Sequence, residues 1–249
     1  MNNLIAFSIR IATGLALTAV ALGWQSCSKK PKSIQDTAPD AVYDEYAQSK
    51  LFSVVATGDQ PMIDDLEDGD LNGLKVDGRA WSWSQYDDLS DGDQLLTIRQ
   101  LEDAPGSGDN VLYVRGGDWK NWGAGFSAYL VNRSNPRPFG CYDASVFKGI
   151  QFWIKIKGLD QSKVLIGTSE TTSVDDGGLC LENCADNLEF AFEVTGEWQL
   201  IKAPFPEFIL PGHDIIGLLD PTRIKGIHFA METHGDYEIW LDEFSFFKD

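Results

Sequence analysis

In the stretch Ile150-Gln151-Phe152-Trp153-Ile154-Lys155-Ile156-Lys157, apolar and polar side chains alternate without a break. Successive side chains of an extended strand point to opposite faces, so Ile150, Phe152, Ile154 and Ile156 share one face and Gln151, Trp153, Lys155 and Lys157 the other. One face packs and the other meets water. Leu188, Phe190, Phe192 and Val194 oppose Glu189, Ala191 and Glu193 in the same way. A strand buried on both sides of a parallel sheet would read as a continuous apolar run, so the alternation predicts an all-β, antiparallel β-sandwich.

Working outward, further strands are predicted over 62–66, 79–86, 95–100, 111–115, 124–131, 163–168, 198–203, 224–231 and 237–247, and no repeat is visible. Turn chemistry falls between them, as in Asp91-Gly92-Asp93, Pro105-Gly106-Ser107-Gly108-Asp109, Asn135-Pro136 and Asp175-Asp176-Gly177-Gly178. Residues 60–249 therefore read as one domain.

The whole chain has 249 residues, with 20 Lys and Arg against 38 Asp and Glu, a formal net charge of −18. Such a field repels polyphosphate, which excludes nucleic acid as a main partner. Ahead of the domain, Ile11 to Gly23 is an uncharged apolar run too short for a comfortable membrane span, and it reads as the core of a signal peptide. Trp24-Gln25-Ser26-Cys27-Ser28 follows and resembles a bacterial lipoprotein cleavage site, although Trp24 and Gln25 depart from that pattern. The resemblance implies a signal segment over 1–27, lipidation at Cys27 and, with Ser28 next, attachment to the outer membrane of a Gram-negative envelope. The alternative is ordinary cleavage near Ala19-Val20-Ala21. Residues 28–59 are polar and poor in large apolar side chains, so they are expected to form a flexible tether, with a short helix possible over 40–52.

Catalytic signals are missing from the sequence. It contains no Gly-x-Ser-x-Gly and no HExxH, and His213, His228 and His234 lack metal-ligand spacing. Acidic pairs are inevitable among so many carboxylates and carry no information about glycosidase chemistry. The last strand holds the clearest anomaly: simple alternation puts Asp242 on the face of Trp240, Phe244 and Phe246. An ionised carboxylate in an apolar row must be paired, hydrogen-bonded or bound to a cation such as Ca²⁺. The acids of Asp64-Asp65-Leu66-Glu67-Asp68 are candidate partners.

Four segments carry a family resemblance: Ile63-Asp64-Asp65-Leu66-Glu67-Asp68-Gly69-Asp70, Trp119-Lys120-Asn121-Trp122-Gly123-Ala124-Gly125, Tyr142-Asp143-Ala144-Ser145-Val146-Phe147-Lys148-Gly149-Ile150-Gln151-Phe152-Trp153 and Ile239-Trp240-Leu241-Asp242-Glu243-Phe244. They resemble the galactose-binding-like jelly rolls, above all family 11 carbohydrate-binding modules and the intermediate-associated protein 30 domain. The resemblance implies a structural Ca²⁺ held by Glu67 and Asp242, with Asp65 and the loop around Asp109 and Asn110 as weaker candidates. It also implies a polysaccharide, such as a β-glucan, lying across a concave sheet. Rings that stack on sugars must be flat, exposed and amphipathic. Alternation turns Tyr113, Arg115, Tyr129, Trp153 and His228 outward, and Trp119 and Trp122 are expected to form a loop platform, whereas Trp81, Trp83, Trp198 and Trp240 read as core.

Cys180 and Cys184 form a CxxxC in a Gly- and Asp-rich loop, where export favours a local disulfide. Cys141 is then free and buried, or else the true partner of one of the two. The resulting expectation is an exported, lipid-anchored protein that binds polysaccharide without catalysis. Its competitors are an envelope structural or interaction domain, and a glycoside hydrolase.

Overall fold

The computed structural model describes residues 53–131, 140–174, 178–181, 184, 186–211, 215–216, 219–233 and 235–249. Cys27, the signal segment, most of the tether, the possible helix over 40–52, His213 and His234 lie outside the described residues. Among the described residues fifteen strands follow one another: β1 Ser53–Val55, β2 Met62–Asp64, β3 Trp83–Asp87, β4 Asp93–Gln100, β5 Asn110–Gly117, β6 Ala124–Tyr129, β7 Cys141–Asp143, β8 Gly149–Lys157, β9 Gln161–Thr168, β10 Leu188–Glu193, β11 Gln199–Pro204, β12 Ile209–Leu210, β13 Ile215–Ile216, β14 Ile224–Met231 and β15 Tyr237–Phe247. Among the described residues, helical structure is confined to 3-10 turns at Phe205–Glu207 and Pro221–Arg223.

The strands form two sheets packed face to face. The nine-stranded sheet runs β1-β7-β14-β9-β10-β12-β13, with β6 beside β14 and β3 beyond β6; the six-stranded sheet runs β11-β8-β15-β5-β4, with β2 on β15. All pairings are antiparallel except β1 with β7. Each strand anticipated from alternation is present in whole or part, while β1, β7, β12 and β13 are too short to announce themselves by pattern. Through its pairing with β7, β1 joins residues 53–55 to the nine-stranded sheet.

The inner faces supply the core. Phe229 of β14 stacks on Phe126 of β6, with centroids 4.8 Å apart and planes at 9°, and meets Phe152 of β8 edge-on at 5.1 Å. Phe244 of β15 lies 6.1 Å from Phe229 and 5.5 Å from Trp83. Trp81 and Trp83 are buried as expected, whereas Trp198 is half-buried.

Simple alternation fails in β15. Asp242 pairs with Trp153, but the next partner of β8, Gln151, faces Ser245, so β15 advances three residues while β8 advances two. The extra residue sits in a β-bulge at Glu243, whose φ is +49°. The bulge reverses the facing of everything beyond it. Trp240 and Asp242 therefore lie on the outer face and Phe244 and Phe246 on the inner one, which corrects both the shared face read from the sequence and the placing of Trp240 in the core.

Candidate functional site

The outer face of the nine-stranded sheet carries a trough. Trp83, Phe126 and Phe229 point inward, so their neighbours Ser84, Tyr86, Gly125, Ser127, Tyr129, Gly226 and His228 face outward. The centre of this face is nevertheless covered: Ser127 and His228 are buried, while Trp122 and Tyr129 remain 49% and 37% exposed. Small residues form the floor and rings rise at both ends.

Glycine makes that relief possible. A Cβ on Gly125 would lie 2.2 Å from the Tyr86 ring, so only glycine lets the ring lie across β6. Tyr86 then sits 6.0 Å from Trp122 and 6.1 Å from His228, and Tyr129 meets His228 edge-on at 5.3 Å. A continuous row results: Trp122, Tyr86, His228, Tyr129.

Burial holds His228 down to about 4, so its imidazole is neutral at ordinary pH, with one nitrogen donating and the other accepting. Burial, then Tyr129 and Glu232, raises the Tyr86 phenol, which stays protonated. Lys163 of β9 sits 3.1 Å from Glu189 and 2.6 Å from Glu232. This row offers stacking surfaces and uncharged hydrogen-bonding groups, with charges at its edge already paired. It suits recognition of hydroxyls.

The residues singled out from the sequence divide between two surfaces. Trp122, Tyr129 and His228 belong to the trough. Tyr113, Arg115 and Trp153 lie on the outer face of the six-stranded sheet, where Arg99 stacks on the Tyr113 ring at 3.7 Å, Tyr113 donates to Glu238, and Tyr113 and Trp240 are 5.4 Å apart. Trp119 is buried, and a Cβ on Gly92 would collide with its ring at 2.4 Å, so it is a core residue rather than a platform. Tyr86 was missed, although Trp81 and Trp83 inward already imply Ser82, Ser84 and Tyr86 outward.

At the end of the six-stranded sheet, Glu67 and Asp242 meet the loop that precedes β5. Gly106 N–H donates to Asp242 Oδ2 at 3.0 Å, and Asn110 N–H donates to Glu67 Oε1 at 3.3 Å. Cβ atoms on Gly106 and Gly108 would lie 2.6 Å from Asp242 Oδ2 and 1.9 Å from Glu67 Oε2, so the loop cradles both carboxylates. Burial, assisted by the charges of Glu243 and Glu67, pushes Asp242 up to about 6. Asp65 instead accepts from Glu67 N–H at 3.3 Å. Among the described residues no group of three or more His, Cys, Asp and Glu side chains is gathered closely enough to hold a metal. Cys180 and Cys184 are joined in a disulfide, with Cα atoms 5.6 Å apart, and Cys141 is free and buried.

With two sheets, a bulged last strand and a covered outer face in place, the solved structures give the comparison. The family 11 carbohydrate-binding module of a cellulosomal cellulase of Clostridium thermocellum superposes with a TM-score of 0.52 at 21% identity, over 76% of this chain and 94% of that one. The fold is a galactose-binding-like jelly roll. A family 11 module from the same organism, in complex with a β-1,3-1,4-mixed-linked tetrasaccharide, matches this jelly roll with a TM-score of 0.50 at 20% identity, over 76% of this chain and 95% of that one. No protein-family model and no curated protein matches the chain.

The histidine gives the jelly roll a pH signature. Its folded pKa lies below the ordinary 6.5, so the unfolded chain binds more protons between pH 6.5 and 4. Its contribution is complete above pH 6.5 and is lost as pH falls towards 4, at a cost of up to about 3 kcal/mol. Asp64 and Asp242, raised to about 7 and about 6, slope the opposite way over the same range. The difference between the wild type and His228→Gln isolates the histidine. Chemical denaturation from pH 7.5 to 4.5 is expected to show the wild type losing more stability than the variant, and parallel curves would remove the assignment.

Proposed function

We propose that the jelly roll is a non-catalytic carbohydrate-binding domain that takes a polysaccharide chain, of the β-glucan class, along the trough. The observation that carries this reading is the row of Trp122, Tyr86, His228 and Tyr129 over a floor of Gly125, Ser127 and Gly226. A pyranose offers a flat C–H face to rings and hydroxyls at its edge, and neutral groups that both donate and accept match it without demanding charge. The family 11 module solved with a mixed-linked glucan supports the choice of ligand class. Affinity electrophoresis against mixed-linked β-glucan, cellulose derivatives, xylan and mannan, with reducing-sugar release assayed in parallel, tests it. Retardation without sugar release is expected, and Trp122→Ala or Tyr129→Ala should weaken binding by up to about tenfold each. No retardation on any glycan would leave an interaction domain; released sugar would make it a hydrolase.

We also propose that Glu67 and Asp242, together with main-chain carbonyls of the 106–110 loop, hold a structural Ca²⁺. The support is chemical: two carboxylates in one glycine-lined cradle, one of them buried, and neither in the ion pairs among the described residues. Bound calcium would neutralise them and tie the loop to β15. Saturating calcium, at about a hundredfold over Kd, should raise Tm by about 5 to 10 °C. Chelation should reverse the gain, and Glu67→Gln with Asp242→Asn should abolish it; an unchanged melt removes the metal.

Export and lipid anchoring through Cys27 complete the proposal, supported by the apolar run Ile11 to Gly23 placed directly before that cysteine. Labelled palmitate fed to a Gram-negative host expressing the chain should enter the wild type and not Cys27→Ser, which should also leave the outer-membrane fraction. Equal labelling of both would overturn the anchor.

A further inference from the structure

A cavity of about 470 Å³ opens on the six-stranded sheet, on the side of the sandwich opposite the trough. Gln151 and Trp153 of β8, Leu200 of β11, and Glu243 and Ser245 of β15 line it, with the Pro105 to Ser107 loop as a wall. The β15 bulge brings these residues together. Within a regular strand Glu243 would point into the core. The inserted residue turns its side chain to the surface, where Oε1 accepts from Ser107 N–H at 2.9 Å. A glutamate at φ +49° costs of order 1–3 kcal/mol, and such backbones persist where the surroundings over-determine them, commonly beside ligand sites.

The lining has the chemistry of a sugar subsite. Trp153 and Leu200 are cross-strand partners, and Leu200 is 42% exposed, so an aromatic and an aliphatic surface stand together at the edge of the cavity. Around them stand neutral and acidic hydrogen-bonding groups. Gln151 Nε2 donates to Ser245 Oγ at 3.3 Å, which fixes the amide and leaves its carbonyl oxygen as an acceptor. Glu243 Oε2 has no hydrogen-bond partner among the described residues, and the Ser107 hydroxyl belongs to an exposed residue. Among the described residues no lysine or arginine lines the cavity, which disfavours phosphate, sulfate or uronate. Its size lies within the range of small-molecule pockets, of order 300–1,000 Å³.

We propose that this cavity is a second saccharide site, taking one or two uncharged sugar units, independent of the trough. It explains why Trp153, turned outward in a strand that otherwise presents Gln151, Lys155 and Lys157, stands where no other element covers it completely.

The test is a titration of the full chain with cellobiose, xylobiose, mannobiose and galactose, followed by amide and indole N–H signals in ¹⁵N–¹H spectra. At least one sugar is expected to give saturable shifts at Gln151, Trp153, Leu200 and Ser245. Glu243→Gln and Trp153→Ala should each weaken this response, by about tenfold for the lost ring, while shifts at Ser127 and His228 persist. Trp122→Ala should do the reverse. If Trp153→Ala fails to give a dispersed spectrum, Leu200→Ser and Glu243→Gln decide the matter. The proposal is overturned if none of the four sugars moves the cavity signals, or if these variants leave the shifts unchanged. Shifts confined to the trough would overturn the cavity alone, and shifts confined to the cavity would remove the trough reading alone.

Discussion

The contact of Phe229 with Phe126, Phe152 and Phe244 is the point on which the two sheets meet. Phe229 and Phe126 come from neighbouring strands of one sheet, Phe152 and Phe244 from neighbouring strands of the other, and each ring buries a large apolar area. The facing of every adjacent residue follows. Because Phe229 points in, His228 points out; because Phe126 points in, Ser127 and Gly125 must face the trough. The surface chemistry of the nine-stranded sheet is thus the complement of its core, and a one-residue slip of β14 would turn His228 towards the opposite sheet and Phe229 towards the trough.

Alternation made much of this legible. In β8 and β10 the period of two is unbroken, and those strands carry the predicted faces. Two things escaped it. The first is local: nothing in Leu241-Asp242-Glu243-Phe244 marks a bulge, since the residue with positive φ is a glutamate and not a glycine, and alternation carried back from Phe244 and Phe246 puts Trp240 and Asp242 on the wrong face. The second is global. Alternation states that Tyr113, Trp153, Tyr129 and His228 point outward, but which sheet each strand joins depends on pairings between residues far apart in the chain, such as β14 with β6. One group of outward residues therefore proved to be two, on opposite sides of the sandwich.

Trp119 and Trp122 show a related ambiguity at short range. Both lie in the same glycine-rich stretch, and glycine marks equally a loop that exposes its neighbours and a backbone that must pass close to a ring. Gly92 takes the second role over Trp119, and Trp122 is left at the surface. Composition cannot separate the two. The same close approach operates at Gly106 and Gly108, where it brings a main-chain loop against Glu67 and Asp242.

The buried thiol of Cys141 bears on how the chain matures. Three cysteines among the described residues allow three pairings, of which the fold contains one. Once β7 has docked, burial raises the Cys141 pKa, so little thiolate exists to attack the Cys180–Cys184 bridge, and an attacking disulfide has no path to it. Before docking, that protection is absent. Exchange through Cys141 is therefore open to the chain only while β7 is undocked, and docking of that short strand closes it.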